Sequence, residues 1–186
     1  LAEEMPTEAQ RDAEAEGAGY TDDADKATSL GSAFHELAQT MVATGRDHDP
    51  ARLEALDRTW RLSERQRVRL RAAIACWERS DLRQETRRYA LRRAEVPFFV
   101  ATPEAPEGNY LEGAIDLLCT EGVACAGHAL VVDYKTGDLD LTEDEVYERH
   151  EPQARLYAEV LLGQGFSSVS CAFICVETGI VARWEW

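Results

Sequence analysis

The chain opens without an apolar period. Residues 1 to about 26 mix Ala, Glu and Asp with scattered Gly, which predicts an acidic flexible linker. From there Phe34, Leu37, Ala38 and Met41 recur at helical spacing behind a Thr28 or Ser29 cap, until Gly45 and Asp47-His48-Asp49-Pro50 break the pattern. Residues 51–59, 63–79 and 81–89 continue as helices. Leu91 to Val100 changes period, with β-branched and aromatic residues around Glu95-Val96-Pro97-Phe98-Phe99-Val100. A loop with two prolines and Gly108-Asn109 leads to a second strand, Tyr110 to Thr120. Glu121 to Gly127 turns the chain into a third, His128 to Tyr134, as a hairpin. Past Gly137 the period is helical again, opened by the capping box Thr142-Glu143-Asp144-Glu145. Pro152 predicts a break, giving a short helix at 142–149 and a second at 152–162. Ser168 to Val176 and Ile180 to Trp186 close the chain as a strand pair. The expected class is α/β, a central mixed sheet flanked by helices, with one domain over 27–186. In it, 27–90 is mainly helical and 91–186 holds the sheet core.

At 186 residues and 45% hydrophobic content, the chain can bury one proper core. No apolar run approaches the roughly 18–20 residues of a membrane helix. Leu1-Ala2-Glu3-Glu4 carries no signal-peptide pattern, and the expectation is a cytoplasmic domain cut from a longer polypeptide. Five cysteines without CxxC spacing point to reduced thiols and away from a zinc or iron–sulfur site. The net charge of −15 is unevenly spread. Residues 45–93 carry 14 basic and 8 acidic groups, a net of +6, while both flanking segments are strongly acidic. The whole disfavours tight nonspecific nucleic-acid binding but leaves room for contact along one arginine-lined track.

Two aspartates bring in chemistry. Asp116, in Gly113-Ala114-Ile115-Asp116, and Asp133, in Val131-Val132-Asp133-Tyr134-Lys135-Thr136, each fall within an apolar strand, where a lone carboxylate is costly to bury. Either could be a strand-end residue in water, and Asp133 could simply pair with Lys135. Taken together they read as Asp, then Asp-x-Lys, on neighbouring strands. Two facing carboxylates and a backbone carbonyl suit a hard divalent ion such as Mg2+. Strand alternation puts Asp133 and Lys135 on one face and Tyr134 on the other. Such a lysine can orient or deprotonate an attacking water and offset charge on a phosphate, which points to phosphodiester cleavage.

Gly-x-Ile-Asp, Asp-Tyr-Lys-Thr and then Gln153-x-x-x-Tyr157 on a helix resemble the PD-(D/E)XK nuclease superfamily. The resemblance extends to the C-terminal nuclease domain of RecB- and AddA-type helicase–nucleases. Gly31-Ser32-Ala33-Phe34-His35 matches their helical Gly-x-x-x-His, and Glu95-Val96-Pro97-Phe98 their upstream strand glutamate. It implies a restriction-endonuclease-like fold and a Mg2+- or Mn2+-dependent DNA exonuclease of double-strand break repair and recombination. It further implies His35, Asp116, Asp133 and the Tyr134 carbonyl as metal ligands, and Lys135 as catalytic lysine. Glu95, Gln153 and Tyr157 complete the catalytic set, although Glu95 beside Arg92 and Arg93 could be a surface ion pair. DNA, the helicase domains of the same parent polypeptide and a second helicase–nuclease subunit are the implied partners. No phosphate loop of the Gly-x-x-x-x-Gly-Lys-Ser/Thr kind occurs, so any ATPase motor lies outside this chain. The competing reading is a catalytically inactive nuclease fold kept as a DNA-binding or scaffold module. The arginines from Arg58 to Arg88 are expected on a solvated helix face, paired with Glu64 and Glu85 at i,i+4, or touching phosphate.

Overall fold

A computed structural model of the chain describes residues 3–4, 22–101 and 110–186. Most of the expected linker and the proline-containing loop after β2 lie outside these. A short strand β1 (Glu3–Glu4) precedes four helices: α1 (Asp22–Thr44), α2 (Pro50–Thr59), α3 (Glu64–Arg79) and α4 (Asp81–Thr86). Then come β2 (Leu91–Ala101), β3 (Tyr110–Thr120), β4 (His128–Lys135), α5 (Glu143–Gly163), β5 (Ser168–Cys175) and β6 (Val181–Glu185). α1 starts several residues before the expected cap.

The sheet is mixed, as its connections require. β2 and β4 both run antiparallel to β3, the second through a hairpin. β4 and β5 are parallel over their full length, which demands a crossover, and α5 is that crossover. β6 closes the far edge antiparallel to β5. Helices α1 to α4 bury Phe34, Leu37, Leu70, Ile74 and Trp77 against one sheet face, which offers Leu130, Val132, Tyr134 and Ile174. α5 covers the other face with Val146, Ala154, Tyr157 and Leu161 packed on Val131, Cys171 and Phe173.

The expected break at Pro152 does not occur: α5 runs through it. Pro152 is exposed, so the carbonyl that loses its helical donor can turn to water. Val146 before it and Ala154 after it are both buried in one core, which anchors the two halves in line. The Thr142–Glu145 capping box forms as read. The arginine-rich helices depart from the expected local pairing. Arg69 makes a two-pronged contact with Glu177 in the β5–β6 turn (2.7 and 2.9 Å), Arg71 meets Asp57 (3.0 Å), and Glu85 pairs with Arg183 of β6. Arg67 and Glu64 do pair within one helix, at i,i+3.

Candidate active site

β3 and β4 pair from Leu117↔Val132 to Thr120↔Ala129 and then part, so Asp116 and Asp133 stand where the ladder opens. The Tyr134 N–H, left without a strand partner there, donates to Asp116 Oδ2 at 2.8 Å. On the other side of β3, the β2 register passes from Ala94↔Leu117 to Val96↔Ile115 and skips Glu95 and Asp116. Glu95 has φ +51°, a left-handed conformation that a glutamate adopts at a cost of about 1–3 kcal/mol. The inverted backbone turns its carboxylate toward α1.

Two glycines allow helix and strands to close around this point. A Cβ on Gly31 would sit 3.0 Å from Thr136 Oγ1, so the glycine lets α1 pack against the end of β4. A Cβ on Gly113 would lie 2.6 Å from Phe98 Cζ. Phe98, cross-strand from Gly113, fills that space and meets the Tyr157 ring edge-on at 5.6 Å. The motif glycines thus have packing reasons.

His35, on the inward face of α1, is within 3.2 Å of the Tyr134 carbonyl through Nε2. A carbonyl only accepts, so that nitrogen carries a proton. Nδ1 faces Asp116 Oδ1 at 3.5 Å and Glu95 Oε1 at 3.9 Å. His35, Glu95 and Asp116 offer ligand atoms all within 4.8 Å of one another. A neutral imidazole would point its Nδ1 lone pair at two carboxylates, an arrangement that a cation resolves.

Asp133 does not join that cluster. It projects to the α5 side, almost fully buried, with Lys135 Nζ 2.7 Å from Oδ1. Oδ2 accepts from the Tyr157 hydroxyl (3.1 Å) and the Gln153 amide (3.3 Å). Lys135 donates to Gln153 Oε1 at 2.9 Å, and Gln153 donates to Tyr157 at 2.6 Å. Gln153 and Tyr157, one turn apart on α5, therefore clamp Asp133 and Lys135 from above. Asp133 Oδ1, despite the nearby ammonium, has no partner of hydrogen-bond geometry among the described residues. The histidine and two carboxylates of His35, Glu95 and Asp116 are a donor set that fits a hard divalent ion, and Asp133 lies on the adjoining strand. Burial, reinforced by the Asp133 charge, holds the Tyr157 phenol protonated well above its ordinary range.

Of the residues read from sequence, His35, Glu95 and Asp116 converge as one group, and Asp133, Lys135, Gln153 and Tyr157 as a second. The Tyr134 peptide joins them, its N–H to the first group and its neighbours forming the second. Glu95 was expected among the catalytic residues but not among the ligand-type cluster. Its position depends on a positive φ, which strand alternation does not reveal. No ion pair joins Glu95 to Arg92 or Arg93 among the described residues.

The sequence profile of the PD-(D/E)XK nuclease superfamily matches residues 9–178, and the chain belongs to that superfamily. Membership implies a metal-dependent nuclease. Among solved structures, one titled "Crystal structure of SSO0001" is similar at 11% identity and a TM-score of 0.38, covering 96% of this chain and 74% of its own. No curated protein matches the chain. No described helix is long and apolar enough to cross a membrane.

Proposed function

We propose that this chain is the Mg2+-dependent DNA exonuclease domain of a helicase–nuclease of the RecB and AddA type, acting in double-strand break repair and recombination. The observation that carries the reading is the convergence of His35, Glu95 and Asp116 next to a buried Asp133–Lys135 pair. His35, Asp116, Asp133 and the Tyr134 carbonyl, with Glu95 beside them, would hold a divalent ion, which would supply Lewis-acid polarisation of the phosphodiester. The chain's own contribution is orientation. Lys135, fixed between Asp133 and Gln153, can direct the attacking water and offset charge on the phosphate. Gln153 and Tyr157 satisfy Asp133 Oδ2, while Oδ1 faces the Lys135 ammonium. The Tyr157 hydroxyl stays neutral, accepting from the Gln153 amide and donating to Asp133 Oδ2.

The net charge of −15 favours delivery of DNA by the helicase domains of a parent polypeptide and a second subunit over capture by this domain alone. The test is degradation of end-labelled linear DNA, with a covalently closed circle as control. Wild type should cleave the linear substrate in Mg2+ or Mn2+ and not in chelator, and Asp116→Ala and Asp133→Ala should each abolish cleavage. Full activity of both variants would refute the assignment. Cleavage of the circle at an equal rate would refute the exonuclease part.

A further inference from the structure

Next to the candidate active site, on the same side of β2, lies an open pocket walled by arginines. Arg83 and Arg87 of α4, Arg92 of β2, Met41 and Val42 of α1, and Leu117 of β3 line it. Arg83 is almost fully buried, and its guanidinium also donates to the Arg46 and Glu78 carbonyls, so its direction is fixed. Arg92 is half-buried and has no hydrogen-bond or ion-pair partner among the described residues. In a chain of net charge −15, three guanidiniums around one concavity need an anion.

A protein oxyanion already engages two of these arginines. Asp47, on the loop between α1 and α2, sets a single carboxylate oxygen 2.7 Å from Arg83 and 3.3 Å from Arg87. Asp47 is 67% exposed, so little besides those contacts holds it. A guanidinium fork matches phosphate at least as well as carboxylate, and a phosphate would reach Arg92 as well.

Two rulers give the distance to the active site. Arg92 and Glu95 are three residues apart on β2, about 10 Å at strand rise. Met41 and Val42 stand six and seven residues beyond His35 on α1, again about 10 Å. Both Glu95 and Arg92 face α1, the first by contact with His35 and the second by sharing a pocket with Met41 and Val42. A single strand whose scissile phosphate lies at the His35–Glu95–Asp116 cluster therefore carries a neighbouring phosphate past the arginine pocket.

We propose that Arg83, Arg87 and Arg92 form a subsite for a backbone phosphate of single-stranded DNA, with Asp47 as a displaceable internal competitor. The subsite rests on the nuclease reading for its place on the substrate, but its test does not need turnover. Binding of a short fluorescein-labelled single-stranded deoxyoligonucleotide to the whole chain is followed by anisotropy in EDTA, across a salt series. Arg92→Ala and Arg87→Ala should each weaken binding several-fold and flatten the slope of log K against log salt by about 0.7, one single-strand phosphate contact. Asp47→Asn, an exposed change with little consequence for folding, should tighten binding several-fold. Opposite signs at Arg92 and Asp47 are the signature, since mere loosening of the fold would weaken both. Wild-type affinity and salt slope in the arginine variants, or no tightening in Asp47→Asn, would overturn the subsite. Failure of the nuclease reading shows separately, as absence of Mn2+-dependent cleavage by wild type, and leaves the anisotropy result to decide the subsite.

Discussion

Lys135→Met tests the central pairing most directly. Methionine keeps most of the side-chain volume and removes the ammonium. In the native fold that ammonium lies 2.7 Å from Asp133 Oδ1, with both residues at most 3% exposed. Its loss leaves a buried carboxylate whose Oδ2 still has Tyr157 and Gln153 and whose Oδ1 has nothing. Removing one partner of a buried pair costs roughly 3–5 kcal/mol, a large part of the 5–15 kcal/mol that holds a typical domain together. Asp133→Asn alone should cost less, because Gln153 Oε1 still accepts from Lys135. The double variant should be more stable than the sum of the two losses predicts, by about 2 kcal/mol or more, since neither charge is then stranded. Urea unfolding in chelator, followed by the fluorescence of buried Trp77 and Trp184, measures all four corners of the cycle. Additive losses, or a Lys135→Met loss below about 1 kcal/mol, would refute the buried-pair account. Activity is expected to part from metal affinity in the same variant. Mn2+ should still bind with the carboxylates intact, while turnover falls on the order of 100-fold, the scale for removing a group that stabilises transition-state charge. Lys135→Arg should not restore turnover, because the planar guanidinium cannot take the compact seat between Asp133 and Gln153.

Gly113→Ala puts a methyl 2.6 Å from Phe98 Cζ, and Phe98 cannot swing away without uncovering Tyr157; a loss of about 1–3 kcal/mol is expected. At roughly 2–4 °C per kcal/mol for a chain of this size, that is a melting-temperature drop on the order of 5 °C, and an unchanged transition would show that the ring has another place to go. Tyr134→Phe should be neutral or stabilising by up to about 1–2 kcal/mol, because the buried Tyr134 hydroxyl has no hydrogen-bond partner among the described residues. Cleavage should be retained, since the peptide group and not the phenol links His35 and Asp116; a destabilised Tyr134→Phe protein would contradict this.

Much of the site was legible because its residues obey strand and helix periods. Asp133 and Lys135 are two apart, so the strand itself sends both to α5 and Tyr134 to the helical core. Gln153 and Tyr157 are four apart, so α5 stacks them over that pair. Gly31 and Gly113 could be recognised as motif positions, but their reason, close approach to Thr136 and Phe98, needs coordinates. What escaped sequence reading is what breaks a period or joins distant segments. α5 passes through Pro152 because packing on both sides outweighs one lost hydrogen bond. Glu95 reaches His35 through a left-handed residue in mid-strand. Arg69 finds Glu177 across 108 residues, a pairing with no local signal at all.

The local defect in the sheet is what makes the site possible. Continuous ladders would have satisfied the backbone at Tyr134 and Glu95 and left Asp116 no role among them. Because β3 parts from β4 at Asp116 and loses its β2 register at the same residue, one carboxylate can cap the Tyr134 N–H and still face His35 and Glu95. Tyr134 then fixes the opening from behind: its ring meets Phe34 at 5.4 Å and Trp77 at 5.0 Å, both edge-on in the helical core. The two hydrophobic cores therefore meet at one peptide unit, with α1 supplying the histidine on one side and α5 the lysine clamp on the other. Loosening either core should disturb the spacing between His35 and Lys135, even where the substituted residue touches neither.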